Sequence, residues 1–403
     1  MENQRGNYGT VSPQKEYAFE MACSNIKYGE GVTREVGMDC INLGGKNVGV
    51  YTDKNLAKLD CVKTALQALN DANVNYKFYD KVRVEPTDES FKEAIDFAKK
   101  NQFDLFLAIG GGSVIDTCKA ANLYSTNPKA ELLDYVNAPI GKGLPVTHQL
   151  KPLIAVTTTA GTGSETTGIG NRAIRPTLGI VDPFNIRTMP ERVTAYSGID
   201  VHALESYTAV PYNERVPRPE NPNLRPAYQG SNPISDIWVE HSLRMTSKYI
   251  KRAVYDQGDT EARSSMHLAS CYAGVGFGNA GCHLWYVIQL CHNYDPAYPL
   301  VPHGLSVIVS APAVFSFTAP ACPERHLKAA ELLGTDVSNK KKEDAGQVLA
   351  DTVRKIMDDI QVPNGLQELG YNSADIPALH RVIKLAPRPQ TEEDLASCIT
   401  GIL

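Results

Sequence analysis

From about residue 45 to 185, short β-rich apolar runs alternate with segments of helical period. Lys46 to Asp53 (KNVGVYTD) reads as a strand, Leu56 to Ala72 as an amphipathic helix and Val74 to Tyr79 as a second strand. Thr87 then caps a helix whose apolar face is Phe91, Ala94, Ile95 and Ala98, and Asp104 to Ile109 reads as a buried strand. Strand and helix in alternation imply βαβ units and a parallel sheet, so this half predicts a doubly wound α/β domain of nucleotide-binding type. Beyond Pro190 the β-rich runs stop. Ile234 to Ala253, Thr260 to Val275, Pro323 to Leu333 and Glu343 to Ile360 carry helical patterns, which predicts an all-α second domain. The Pro- and Arg-rich stretch Tyr212 to Pro226 interrupts them and reads as a long surface loop. The expected division is a disordered or targeting remnant over 1–16, an α/β domain over 17–190 and a helical domain over 191–403.

Composition narrows the function. The 403 residues suffice for two or three domains, and 42% hydrophobic with 21% charged residues is a globular balance. With 40 Lys and Arg against 45 Asp and Glu, the net charge of −5 leaves no basic excess for a nucleic-acid backbone. The run from Gly304 to Ala319 carries several Ser and two Pro and is too short and polar to span a bilayer, so membrane insertion is not expected. Nine scattered Cys without a CxxC pair fit reduced thiols better than a disulfide framework or a zinc ribbon. The N-terminal MENQRGNYGTVS lacks both the apolar core of a secretory signal and the Arg-rich character of a transit peptide.

Candidate chemistry gathers in two places. Gly110 to Ser113 (GGGS) ends the strand DLFLAIG and opens a helix, where bare backbone N–H groups and the helix dipole can approach a diphosphate. The plainer alternative is a turn in which Ser113 caps the helix and Asp116 answers at the third position. Thr157 to Thr167 is a row of hydroxyls and small residues after the strand Pro152 to Val156, suited to a ligand at the sheet's switch point or simply a polar loop. Asp53, at a strand end, can accept from a ribose hydroxyl or cap a helix. In the second half Asp200, His202, His292 and His303 offer N and O donors suited to Fe, Zn or a similar divalent ion, although a single His more often has an ordinary packing role. Arg215, Arg218 and Arg225 in the surface loop are candidates for holding a substrate carboxylate.

Taken together, GGGSVIDTCKAAN, TTAGTGSETTG, DVHALESY, GSNPISDIW and VPHG resemble the iron-containing alcohol dehydrogenase family, over a stretch from about Tyr17 to the C-terminus. EPTDESF, DYVNAPIGKGLPV, YQGSNPISDIW, PERHLKAAELLG and LAPRPQTEEDLA are more similar to its branch of transhydrogenases acting on hydroxy and oxo acids than to the plain dehydrogenases. The resemblance implies an NAD-binding α/β domain, a helical domain holding Fe(II), with Zn compatible with the same donors, and a reaction cleft between them. It implies Asp53, Gly111, Gly112, Ser113, Thr158, Thr159 and Thr162 as NAD contacts and Asp200, His202 and His303 as metal ligands. His292 stands in for a third His, with His283 as second choice. The implied reaction oxidises 4-hydroxybutyrate to succinate semialdehyde while reducing 2-oxoglutarate to D-2-hydroxyglutarate, in mitochondria; a homo-oligomer is compatible with it. Five departures stand against the family pattern. Some fifteen residues are missing after Gly168, and Thr157 replaces a usual Pro. Asp200 and His202 are two apart rather than four, about 200° around a helix, so they share one ion only where the helix starts late or is distorted. The CHG segment does not follow His283-Leu284, and the Ala378 to Val382 segment is shortened. These departures carry the alternatives of a catalytically impaired splice form or paralogue, beside that of a plain NAD-dependent dehydrogenase.

Overall fold

The computed structural model describes residues 14–136, 141–168, 171–199, 201–283, 301–375 and 391. Six strands form one parallel sheet: β1 (Asn25–Tyr28), β2 (Asn47–Tyr51), β3 (Asn75–Tyr79), β4 (Leu105–Gly110), β5 (Leu153–Thr157) and β6 (Leu178–Val181), in the order β1-β6-β5-β4-β2-β3. Every residue of β4 and β5 is buried, as an apolar strand covered on both faces must be. The pleat divides β4 between two cores. Leu105, Leu107 and Ile109 pack with Val36 and Cys40 of helix α1 (Val36–Asn42) and Val62 and Leu69 of α2 (Asp60–Asp71). Phe106 and Ala108 face Ala94 and Ala98 of α3 (Asp88–Asn101) and Ile115 and Cys118 of α4 (Gly112–Thr126).

The predicted strands and helices of this half are present, with one break. The expected helix from Leu56 to Ala72 divides at Leu59, which is extended (φ −89°, ψ 161°), into a 3-10 turn over Leu56–Lys58 and α2 from Asp60. Asp53 causes the break: its Oδ1 accepts the N–H groups of Asn55 (2.8 Å) and Leu56 (3.0 Å), winding a separate turn before α2 can start. Thr87 caps α3 as expected, in a reciprocal capping box with Ser90. After Gly168 the chain passes through a 3-10 turn at Arg172–Ile174 into β6, which pairs with both β5 and β1. The short form of this segment therefore leaves the sheet continuous.

Beyond Val181 the described elements are helical. They include α5 (Glu191–Gly198), α6 (Val201–Thr208), α7 (Pro233–Tyr255), α8 (Thr260–Ala280), α9 (His303–Ile308), α10 (Ala311–Thr318), α11 (Pro323–Leu332) and α12 (Ala345–Asp359). Asn232 starts α7 by accepting from Ile234 and Ser235, with Pro233 at the first helical position. One apolar core joins these helices, with Leu204, Leu243, Val254, Met266, Phe315, Leu349 and Met357 near its centre. The long loop crosses its surface, and Gln14 to Glu16 lie against it: Gln14 O accepts from Arg218 N–H and Glu16 N–H donates to Arg215 O. Among the described residues no helix is long and apolar enough to cross a membrane.

Candidate functional site

The carboxyl ends of β4 and β5 lie side by side, with Gly110 registered against Thr157, so the glycine turn and the threonine loop emerge as neighbours. A Cβ on Gly111 would come within 3.0 Å of Thr159 Cγ2, and one on Gly112 within 3.0 Å of Thr162 Cγ2. Bare backbone is therefore what lets the two loops close on each other. The Oγ1 atoms of Thr158, Thr159 and Thr162 are buried and have no hydrogen-bond partner among the described residues. Buried hydroxyls left open beside a helix N-terminus suit a polar, anionic guest. Ser113 does not cap α4, correcting that alternative: the N-cap is Gly111, without a side-chain bond. Ser113 Oγ instead accepts the N–H of Glu85 at 3.2 Å.

All seven residues expected on the nucleotide side, Asp53, Gly111, Gly112, Ser113, Thr158, Thr159 and Thr162, line one cavity of about 1010 Å³, which His202 and His303 also line. Asp53 lines the cavity, and the cap alternative is corrected: its carboxylate winds a turn by accepting from Asn55 and Leu56, while the N-cap of α2 is Leu59, without a side-chain bond.

The metal side is built by two short helices. His202 is at the second position of α6 and His303 is the first residue of α9; their Nε2 atoms are 3.1 Å apart. His202 Nδ1 lies 2.8 Å from Oε2 of the buried Glu205, one turn further along α6. Donation of the Nδ1 proton to that carboxylate fixes the tautomer and leaves Nε2 as a lone pair facing His303. Oε1 of Glu205 accepts the backbone N–H of His283 at 2.9 Å, so the carboxylate is held from both sides. Burial pushes both imidazoles down to about 4, for His303 with help from its neighbour His202, so both are neutral donors near pH 7. Nδ1 of His303 is buried without a partner among the described residues. His202, Glu205 and Cys282 also bring ligand atoms within 4.8 Å of one another. Two converging neutral imidazoles, a carboxylate behind one of them and a nearby thiol form a donor set that fits Fe(II) or Zn(II).

The remaining expectations divide. Asp200 and His292, with the 378–382 segment, lie outside the described residues. His283 is buried near Glu205, but its Nε2 is 3.1 Å from Thr208 Oγ1 rather than on the His202–His303 pair. The arginine loop does not reach the cavity, which corrects its assignment to substrate. Arg225 forms a two-armed pair with Glu16 (3.0 and 3.1 Å), Arg215 Nη1 donates to Tyr228 O, and Arg218 lies over the Tyr17 ring. The physical reason is that loop carbonyls and Glu16 lie closer to these guanidinium groups than the cleft does. Arg192, on α5, is the Lys or Arg among the described lining residues, beside the acids Asp53, Glu85 and Asp116 in the same lining, and its Nη1 donates to Gln361 O at 2.9 Å. Sequence reasoning missed Glu205 and Cys282. The i, i+3 spacing of His202 and Glu205 was the available signal for the first; for Cys282 there was none.

Comparison with known proteins decides the relationship. The family described as "Iron-containing alcohol dehydrogenase" matches residues 23–183, and "Fe-containing alcohol dehydrogenase family, C-terminal" matches residues 227–399. The chain belongs to the iron-containing alcohol dehydrogenase family. Among its relatives, the mitochondrial hydroxyacid-oxoacid transhydrogenase of Xenopus tropicalis is 58% identical over 414 residues, covering 94% of this chain and 89% of the relative. The protein of the same name from Bos taurus is 58% identical over 415 residues, covering 95% and 89%. Among solved structures, a 1,3-propanediol oxidoreductase is similar over 96% of this chain and 100% of its own, with a TM-score of 0.82 and 26% identity. Both halves of this iron-containing dehydrogenase fold are thus present, the parallel sheet and the helical unit, with the glycine turn, threonine loop and paired histidines facing one cavity.

Proposed function

We propose that this protein is a hydroxyacid-oxoacid transhydrogenase. It oxidises 4-hydroxybutyrate to succinate semialdehyde and reduces 2-oxoglutarate to D-2-hydroxyglutarate on one retained NAD. The observation that carries this reading is the convergence of His202 and His303, Nε2 to Nε2 at 3.1 Å, in the cavity that Gly111, Gly112 and the threonine loop also line. When bound, Fe(II) supplies Lewis acidity at the substrate oxygen and the nicotinamide supplies a hydride carrier. In this reading His202 and His303 hold the metal, with Asp200 and His292 completing the set, and Glu205 fixes the His202 ring. Zn(II) suits the same donors. The N–H groups at Gly111 and Gly112 and the open hydroxyls of Thr158, Thr159 and Thr162 bind the nucleotide's diphosphate and ribose, and Asp53 takes a ribose hydroxyl. Met189, Val201 and Phe277 give the cavity an apolar wall that limits water at the reacting carbon. The division into a nucleotide half over 17–190 and a metal half over 191–403, and a mitochondrial location like that named for the relatives, belong to the same reading.

The test is formation of D-2-hydroxyglutarate from 4-hydroxybutyrate and 2-oxoglutarate by protein reconstituted anaerobically with Fe(II) and NAD. The expected product depends on both substrates and disappears with chelator. Its absence overturns the reading. Stoichiometric release of NADH with 4-hydroxybutyrate alone would instead make the protein a plain dehydrogenase. That second reading is favoured by the acidic lining, Asp53, Glu85 and Asp116 against Arg192.

A further inference from the structure

Glu85 is in the loop between β3 and α3 and has a left-handed backbone, φ +54°. Non-glycine residues adopt that conformation at a cost, and a residue followed by proline, here Pro86, is further restricted. Such strain persists only where the surroundings hold the residue in place. Two of the bonds that Glu85 makes join it to distant segments. Its N–H donates to Ser113 Oγ at 3.2 Å, on the turn that opens α4, and its Oε1 accepts the backbone N–H of His303 at 2.9 Å, at the start of α9. The residue is 8% exposed and lines the same cavity as Gly111, Gly112, His202 and His303. One strained, buried residue therefore bridges the nucleotide turn and the segment carrying a candidate metal ligand, 218 positions away in sequence.

A second observation agrees. The N–H of His303 is one of those that a helix start leaves without an internal partner, and Pro302 before it gives no side-chain cap. α9 has six residues, too short to be stable on its own, so an outside acceptor at its first residue bears directly on where the His303 ring sits. A carboxylate accepting that N–H also forms the stronger, charge-assisted kind of hydrogen bond.

We propose that Glu85 is a positioning residue that latches the α9 segment to the nucleotide turn and so retains NAD in the cleft between the two half-reactions. The latch rests on the transhydrogenase reading for its purpose, since a cofactor reduced by one acid and reoxidised by another must not leave between them. The Glu85 carboxylate oxygen and the left-handed turn are the working parts, and an amide oxygen at the same place performs the same task more weakly.

The experiment compares wild type, Glu85→Ala and Glu85→Gln. Hydrogen exchange reads the amides of residues 303–308, and displacement of bound NADH, followed by its fluorescence, reads nucleotide dissociation. Glu85→Ala is expected to lose protection at the start of α9 and to release NADH about tenfold faster, the scale of one lost charge-assisted hydrogen bond. Glu85→Gln, which keeps the acceptor oxygen without its charge, is expected to recover part of both. Unchanged exchange in Glu85→Ala overturns the contact, and unchanged NADH dissociation overturns the retention role. Faster release in Glu85→Gln equal to that in Glu85→Ala overturns the account based on an acceptor oxygen. Failure of the transhydrogenase reading is seen separately, in the wild type's inability to make D-2-hydroxyglutarate, and leaves the exchange and dissociation results to judge the latch.

Discussion

Gly111 and Gly112 meet Thr159 and Thr162 at the ends of two neighbouring strands of one sheet, whereas His202 and His303 meet between two short helices 101 positions apart. The first wall is placed by local rules. A buried parallel strand ends, glycines turn the chain, a helix begins, and the next strand in the sheet brings its loop alongside. The second wall has no such rule. α6 and α9 have eight and six residues, so neither is stable alone, and where their rings point is decided by the packed core beneath them. The nucleotide wall should therefore tolerate loss of the metal wall, while the metal wall should depend on carboxylates such as Glu205 that hold its rings.

The largest effect expected is from His202→Ala, with loss of bound iron and a fall in turnover of about 10³-fold or more, several kcal/mol of transition-state stabilisation. Metal analysis beside NADH titration checks it, and NADH affinity should be kept. Glu205→Ala should weaken metal affinity about 10- to 100-fold, the usual scale for a residue that orients a ligand. Iron retained by the His202 variant at the wild-type level would break the comparison.

Gly112→Val tests the other wall. The added side chain must displace Thr162, an overpacking of about 1–3 kcal/mol, so NADH should bind about 10- to 100-fold more weakly while iron content stays unchanged. Loss of both ligands together would mean that the two walls form one cooperative unit.

Acid should act on the helical half. His267 on α8 and His326 on α11 are fully buried, and burial pushes each from 6.5 to about 4. Their unfolded forms bind protons first, so stability is at its highest above pH 6.5, falls between 6.5 and about 4, and levels off below. Denaturant melts across that range should show the loss, on the order of a few kcal/mol per ring, and His267→Leu should flatten the slope. A flat profile in the wild type would overturn the burial account.

The smallest effect is expected at Arg225. Its two-armed pair with Glu16 lies in a loop at the surface of the helical half, so Arg225→Ala should cost about 1 kcal/mol of stability. Substrate KM should stay at the wild-type value, since the loop does not line the cavity. A rise in KM alone would return this loop to the site.

Much of the nucleotide side was legible in the sequence because the period-2 and period-3.6 patterns, the glycine turn and the Thr87 cap are all local signals. Asp53 illustrates the limit. Its strand-end position was readable, but that its carboxylate would break the following helix at Leu59 depended on which amides it could reach. Ser113 and the arginine loop mark the same boundary from the other side, since a cap and a carboxylate anchor are both chosen by competing partners. Ser113 was taken by Glu85, and Arg225 by Glu16.

By itself the sequence determined the parallel sheet, the helical second half and the loops that carry glycine and threonine, because hydrophobic period and backbone freedom are properties of neighbours in the chain. The tertiary structure alone decided that His202 faces His303, that Glu205 stands behind the ring, and that a strained Glu85 reaches the start of α9. Those contacts join distant segments, and their geometry comes from how the whole core packs.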